Sequence, residues 1–306
     1  MEREVLYVCF RFFFQDRCPP NLAEASIKNI LFPTDFSMES MPALPYVTGM
    51  AGKLGAAVYL CHIVMPNVLA AGAPEVAPYM YEAARKQSEE DLAALAASAK
   101  LEKFQPKTLL VSGTVEDELP GIIRAHGIDL IVAGTHGRTG IRRLLLGSVA
   151  EEICRTATCP VLTVGPALLP HLSIDFRRIL FPTDLSAESR RIVPYLRLLA
   201  QEYSSEVTVL HVLPQELETN PEAPTLAEPI RTRMTQMLEK ELAPCRPEYI
   251  FAFGDVVQSV LKTAHERAVD LIAMGIRNTF MPEFQPQAST AYRIMARANC
   301  PVLTQR

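Results

Sequence analysis

One stretch of eleven residues occurs twice in this chain. ILFPTDFSMES begins at Ile30 and ILFPTDLSAES at Ile179, an offset of 149 (179 − 30), and His62 and His211 keep that offset. Further along, Gly113 and Gly254, Asp129 and Asp270, and the two CPVLT segments from Cys159 and Cys300 lie 141 apart (254 − 113). The first copy therefore carries eight extra residues (149 − 141) between its second and third predicted strands. A repeat unit of this length means two copies of one domain rather than a solenoid. The chain has 306 residues, 49% of them apolar and 21% charged, which suffices for two cores of ordinary size. The boundaries read as an extension over residues 1–26, one domain over 27–166, a linker over 167–176 and a second domain over 177–306. The extension has no counterpart in the repeat. It reads as a floppy segment or as the product of an early start codon.

Within the first copy, hydrophobic periodicity and Gly/Pro punctuation predict strands at Ile30–Pro33, Ala57–Val64, Thr108–Val111, Leu130–Ala133 and Val161–Val164. Between them fall predicted helices from Ser37, a plausible N-cap, to Leu54, then Tyr81–Lys100, Glu116–Ala125 and Ser148–Thr156. The Ala/Gly/Pro-rich stretch Pro66–Pro78 reads as a loop. The second copy repeats the order, with strands at Ile179–Phe181, Val207–Val212, Tyr249–Phe253, Leu271–Met274 and Val302–Thr304. Strict alternation of strand and helix argues an α/β fold: two tandem, doubly wound, parallel-sheet domains. In such sheets ligands bind beyond the carboxyl ends of the strands, where the strand order reverses. The ends at Pro33-Thr34-Asp35, His62-Ile63, Gly113 and Gly134 converge on one crevice.

The net charge of −4 gives no reason to expect nucleic acid as a partner, because a phosphate-backbone binder carries a basic surplus. The 7 cysteines include no C-x-x-C pair, so reduced cytosolic thiols are the expectation, without a metal or disulfide framework. No apolar run is long enough to span a bilayer. Val5–Phe14 comes nearest, but acidic residues precede it and Arg11 interrupts it, unlike an export signal.

The richest local signal is Asp129–Glu152, DLIVAGTHGRTGIRRLLLGSVAEE. A short apolar run stops at Gly134, glycines follow at 137 and 140, and Gly147-Ser148 opens a helix, with Ser148 and Glu151 spaced as a capping box. Backbone N–H groups in such a loop, with a helix N-terminus behind them, form a phosphate site. Each feature alone has a plainer meaning: glycines after a strand make turns, and Ser-x-x-Glu caps ordinary helices. Arg138, Arg142 and Arg143 are either a solvated loop or a screen for a polyanion.

Taken together, Gly134-x2-Gly137-x9-Gly147-Ser148, with THGR, LLLGSVAE and CPVL around it, resembles the nucleotide-binding signature of the universal stress protein family, in its tandem form with two domains. The resemblance runs through both copies from about Ile27. It implies Rossmann-like five-stranded sheets of order 3-2-1-4-5 and a cytoplasmic protein of the stress response. It also implies a bound ATP or AMP, accompanied by Mg²⁺. Carried over position by position, it implies Pro33, Thr34, Asp35 and Ile63 for base and ribose. Gly134, His136, Gly137, Arg138, Gly147, Ser148 and Val149 are implied for the phosphates, and Gly113, at the end of the third strand, is expected among the nucleotide-binding residues. Asp35 has two other readings, as a cap of the following turn and as a Mg²⁺ ligand. His62, twinned with His211, reads as a hydrogen-bonded structural residue.

Opposite the signature, the second copy has Gly275, Asn278, Ala288 and Ser289, and Met281-Pro282-Glu283 opposite the basic loop. Two glycines are lost and a carboxylate is gained, which argues against ATP there. Three functions are weighed: a nucleotide-dependent binding module with an unidentified protein partner, a slow ATPase or ATP-dependent transferase, and an interaction protein with a vestigial loop. No P-loop and no nucleophile paired with a base at a recognisable spacing favours the enzyme. The two copies are expected to form a pseudo-dimer within the chain, with a homodimer as a further option.

Overall fold

The structure, a computed structural model, describes residues 25–65, 76–135, 147–165, 174–218, 223–276 and 289–306. The extension to residue 24, most of the loop at 66–78, His136, Gly137, Arg138, Gly140, Arg142, Arg143, the linker through residue 173, Asn278, Met281-Pro282-Glu283 and Ala288 lie outside the described residues.

In the first half, the strands are β1 (Asn29–Pro33), β2 (Ala57–Val64), β3 (Lys107–Ser112), β4 (Leu130–Gly134) and β5 (Val161–Val164). The helices are α1 (Leu44–Leu54), α2 (Ala77–Ala96), α3 (Val115–His126) and α4 (Ser148–Thr156). In the second half, they are β6 (Arg178–Pro182), α5 (Ala187–Arg190), α6 (Val193–Tyr203), β7 (Glu206–Leu213), α7 (Ala223–Leu242), β8 (Glu248–Phe253), α8 (Val256–Glu266), β9 (Leu271–Gly275), α9 (Thr290–Arg297) and β10 (Val302–Gln305). Each half has the expected order, and the ten strands form one sheet, β3-β2-β1-β4-β5-β10-β9-β6-β7-β8.

Alternation along the strands divides the core in two. Ile30 and Phe32 face the layer containing α1, α2, α6 and α7, whereas Leu31 faces the layer containing α3, α4, α8 and α9. Both layers run across the two halves, because the halves are joined edge to edge. β5 and β10 pair antiparallel, with Leu162 opposite Leu303, while the other pairings are parallel. Thr163 Oγ1 donates to the Val302 carbonyl at 3.1 Å and Thr304 Oγ1 to the Val161 carbonyl at 3.2 Å. The seam is thus reciprocal, as an isologous dimer interface would be. The end of the linker adds a second tie: Phe176 is buried between Tyr46, at 6.3 Å between ring centroids, and Tyr203, at 5.0 Å.

Helix starts depart from the sequence expectation. Ser37 is not the N-cap of α1. It sits in a tight turn, and a 3₁₀ turn at Met41–Ala43 leads into α1, whose N-cap is Ala43. Pro42 and Pro45 explain this, since each removes an N–H and restricts the residue before it. In the second half the equivalent Ser186 does cap a short helix, accepting from the Ser189 N–H. The helix expected from Tyr81 starts earlier, at Ala77, with Pro78 in its first turn, where a missing N–H costs nothing.

Candidate functional site

A cavity of about 570 Å³ opens at the carboxyl ends of β1, β2 and β4, between the strands whose order reverses. Pro33, Thr34, Asp35, Ile63, Gly134, Gly147, Ser148 and Val149 line it together. Gly113, at the end of β3, does not line it. Its N–H is bonded to the Val64 carbonyl, and its φ of +147° takes the chain from β3 into the N-cap of α3. His136, Gly137 and Arg138 lie outside the described residues.

The β1 end is held by its own short polar side chains. Asp35 Oδ1 accepts from the Ser37 N–H at 3.0 Å and from its hydroxyl at 2.5 Å, so the turn-capping role of this carboxylate is real. Thr34 Oγ1 accepts from the Phe36 N–H at 3.0 Å and lies 3.3 Å from Ser40 Oγ. These bonds hold Phe36 at φ 60°, a left-handed conformation that costs a bulky residue on the order of 1 kcal/mol. Leu185 does the same in the second half, at φ 63°. His62 Nδ1 lies 2.7 Å from the Thr34 carbonyl, which only accepts, so Nδ1 carries the proton. The imidazole packs on Phe36 with centroids 4.8 Å apart. His62 thus props the β1 turn, as expected of a structural histidine.

Gly134 has a packing reason to be glycine. A Cβ there would come within 2.9 Å of the Glu39 carbonyl oxygen and 3.0 Å of Ser40 Cα, backbone that cannot swing away. Gly275 meets Glu188 and Ser189 in the same way, which is why the second copy keeps this glycine while losing others.

The capping box expected at Ser148 is not formed. Ser148 is the first residue of α4, and the N-cap is Gly147, which makes no side-chain cap hydrogen bond. Gly147 has φ −62° and ψ 146°, extended backbone open to any residue. Its N–H donates to the Thr135 carbonyl at 2.7 Å, which turns the chain so that Gly147, Ser148, Val149 and Ala150 face the cavity. The early N–H groups of α4, with the positive end of its dipole, therefore open onto the crevice. The second half differs: Ser289 is the N-cap of α9, and its hydroxyl accepts from the Tyr292 N–H at 3.3 Å.

Among the lining residues not singled out from sequence, Ala84, Gln87, Ser88 and Asp91 lie together on α2. Their spacing of three and four along a helix was the available signal. Cys61 also lines the cavity. Burial pushes its thiol up to about 12, so it is not a thiolate nucleophile at neutral pH. The second half keeps a crevice of about 410 Å³, with Asp184, His211, Gly275 and Ser289 in the equivalent places. Among the described residues no group of three or more His, Cys, Asp or Glu could hold a metal ion, and no helix is long and apolar enough to cross a membrane.

The model of the universal stress protein family matches residues 26–165 and again 175–306. The chain belongs to the universal stress protein family. Curated relatives correspond to about half of it. Universal stress protein MJ0531 of Methanocaldococcus jannaschii is 33% identical over 141 residues, covering 45% of this chain and 81% of the relative. MJ0577 of the same organism is 31% identical over 158 residues, covering 45% and 94%. Among solved structures, a universal stress protein from Archaeoglobus fulgidus superposes with a TM-score of 0.68 at 21% identity, covering 91% of this chain and 98% of that one. This likeness extends over both halves and concerns the fold.

Proposed function

We propose that the first-half crevice binds an adenine nucleotide, ATP or AMP. The protein then acts in the stress response, in the cytoplasm, as a nucleotide-dependent binding and regulatory module rather than as a dedicated enzyme. In this reading residues 27–166 form a nucleotide-binding universal stress domain and residues 177–306 a domain whose nucleotide site is degenerate. The observation that carries it is the single cavity lined at the strand ends by Asp35 and Ile63 and at the helix start by the side-chain-free N-cap Gly147, with Ser148 and Val149. Its volume is of ligand-binding size. Base and ribose take the strand ends, and the phosphates take the N–H groups of α4 together with the loop of His136, Gly137 and Arg138. A Mg²⁺ would arrive on the phosphates and need at most one or two carboxylates, a requirement that Asp35 in the lining fits.

In the second half the hydroxyl of Ser289 already takes one of the N–H groups that a phosphate would use, which supports a single ATP site. Mass spectrometry of the gently purified protein should find a co-purifying adenine nucleotide. Calorimetric titration of the emptied protein with Mg-ATP should give about one site per chain, one glycine-opened helix start making one phosphate site. Two equivalent sites would end the degenerate reading of the second half, and no heat at all would end the nucleotide reading.

A further inference from the structure

The ten-stranded sheet ends in β3 on one side and in β8 on the other, and the two ends are finished differently. At β8, the Gly254 N–H donates to the Leu213 carbonyl, so by alternation the backbone groups of Tyr249, Phe251 and Phe253 point away from β7. Side chains cover that outer row. Arg231 on α7 donates from Nη1 to the Tyr249 carbonyl at 2.9 Å, with its guanidinium 5.0 Å over the Phe251 ring. Ser259 on α8 donates from Oγ to the Phe253 carbonyl at 3.2 Å. Edge carbonyls taken in this way no longer offer a template to another strand.

In the first half the same outer row is Thr108, Leu110 and Ser112, because the Gly113 N–H takes the Val64 carbonyl. Arg231 is matched there by Arg85, at the offset of 146 that aligns the fully buried Leu92 and Leu238 (238 − 92), and Ser259 by Glu118 (259 − 141). Arg85 is exposed and makes no bond to β3 among the described residues, and the carboxylate of Glu118 only accepts. Lys107, a charge that could guard an edge, is folded back onto β2: its Nζ donates to Tyr59 Oη at 3.0 Å and lies 4.8 Å over that ring. The outer backbone groups of β3 thus have no partner among the described residues. The strand is also self-complementary in charge. Lys100, Lys103 and Lys107, with one acid, Glu102, gather at its amino end, and Glu116, Asp117 and Glu118 follow its carboxyl end. Turned antiparallel, a second β3 sets each basic end beside an acidic one.

We propose that β3 is a docking edge for a second copy of this chain, the two β3 strands pairing antiparallel about Leu110 so that two ten-stranded sheets continue into one. Thr108 then exchanges backbone hydrogen bonds with the partner's Ser112, and Leu109 packs beside the partner's Val111. The seam between β5 and β10 has this reciprocal, edge-to-edge geometry within one chain. The pairing is independent of what the crevices bind. Sedimentation of the intact chain over a concentration series should show a reversible monomer–dimer equilibrium. Thr108→Pro leaves the bonds between β2 and β3 in place, since this N–H points outward, and deletes one inter-chain donor from each chain. It should raise the dimer Kd about tenfold or more while the melting curve is unchanged. Lys107→Glu, which sets acid against acid, should raise Kd about fivefold at low salt and much less at high salt. Should Thr108→Pro melt early, Lys107→Glu decides alone. A chain that is monomeric at every concentration, as it would be were β3 covered by another segment of its own chain, overturns the proposal. So does a dimer that folded Thr108→Pro and Lys107→Glu leave equally tight.

Discussion

The Gly134 backbone lies directly against the carbonyl oxygen of Glu39: a Cβ on Gly134 would stand 2.9 Å from that oxygen. The end of β4 and the turn after β1 are thereby locked together at the floor of the crevice. Gly134→Ala must push this backbone apart, at a cost of about 1–3 kcal/mol by analogy with overpacked cores. Gly275→Ala should cost more, because Glu188 comes closer still. Chemical denaturation of both variants checks the order, and a neutral Gly275→Ala would refute it.

Gly147 is a glycine of another kind. Its dihedrals suit any residue, so Gly147→Ala should change stability by no more than about 1 kcal/mol, the scale of N-cap effects. The new methyl group would instead enter the space proposed for phosphate. ATP should then lose about tenfold or more in affinity, roughly 1.4 kcal/mol, and adenosine much less. Equal losses for the two ligands, measured side by side, would remove the phosphate from this helix start.

Arg190 and Glu241 stand where the first half has Met41 and Leu95. Arg190 is 1% exposed, and its Nε and Glu241 Oε2 have no hydrogen-bond partner among the described residues. Burial raises the Glu241 carboxyl above its ordinary value, against the pull of Arg190 and Arg197. Glu241→Leu alone, removing a carboxylate on which the field of the buried Arg190 cation acts, should destabilise by about 1 kcal/mol. Adding Arg190→Met restores the apolar pair of the first half, and the double variant should be as stable as the parent or more so. A double variant weaker than Glu241→Leu would show the charges to be net stabilising.

His211 gives the second half an acid sensitivity. Its Nδ1 donates to the Thr183 carbonyl at 2.8 Å, and burial holds its pKa below the ordinary value, against the opposing effects of that bond and of Asp184. The unfolded chain therefore takes up the proton first as pH falls. The stability from keeping this ring neutral is complete above about 6.5 and is lost as pH drops toward the lowered folded value. Melting temperatures followed from pH 7.5 to 5.5 should fall less steeply in His211→Gln than in the parent, and parallel curves would clear His211.

Much of this was readable in the residues because β-strands announce themselves by short apolar runs between punctuating residues. Ala57–Val64, Val161–Val164 and the helix Ser148–Thr156 have the limits read from sequence. The joining of two sheets into one was not anticipated, yet Val161–Val164 carried a hint: a terminal strand with no charge, proline or bulge is an edge that needs covering. The false capping box at Ser148 shows the limit of motif spacing. Ser289 stands outside its helix and Ser148 inside, where the preceding Gly147 N–H is bonded to the Thr135 carbonyl, a contact that motif spacing does not announce. The α2 lining of the cavity was missed for a similar reason, since Ser88 and Asp91 stand out only once their register against Met234 and Met237 is known.

The seam between β5 and β10 also orders events during synthesis. From the end of β5 at residue 164 to the start of β10 at residue 302 the ribosome must add 138 residues (302 − 164), which takes roughly 7–28 s at typical elongation rates. For that interval the first half can fold while its β5 edge, four buried apolar and threonine side chains long, has no partner from its own chain. Neighbouring nascent chains on one message offer the same edge to each other, so correct pairing is a race that the second half wins by its tether.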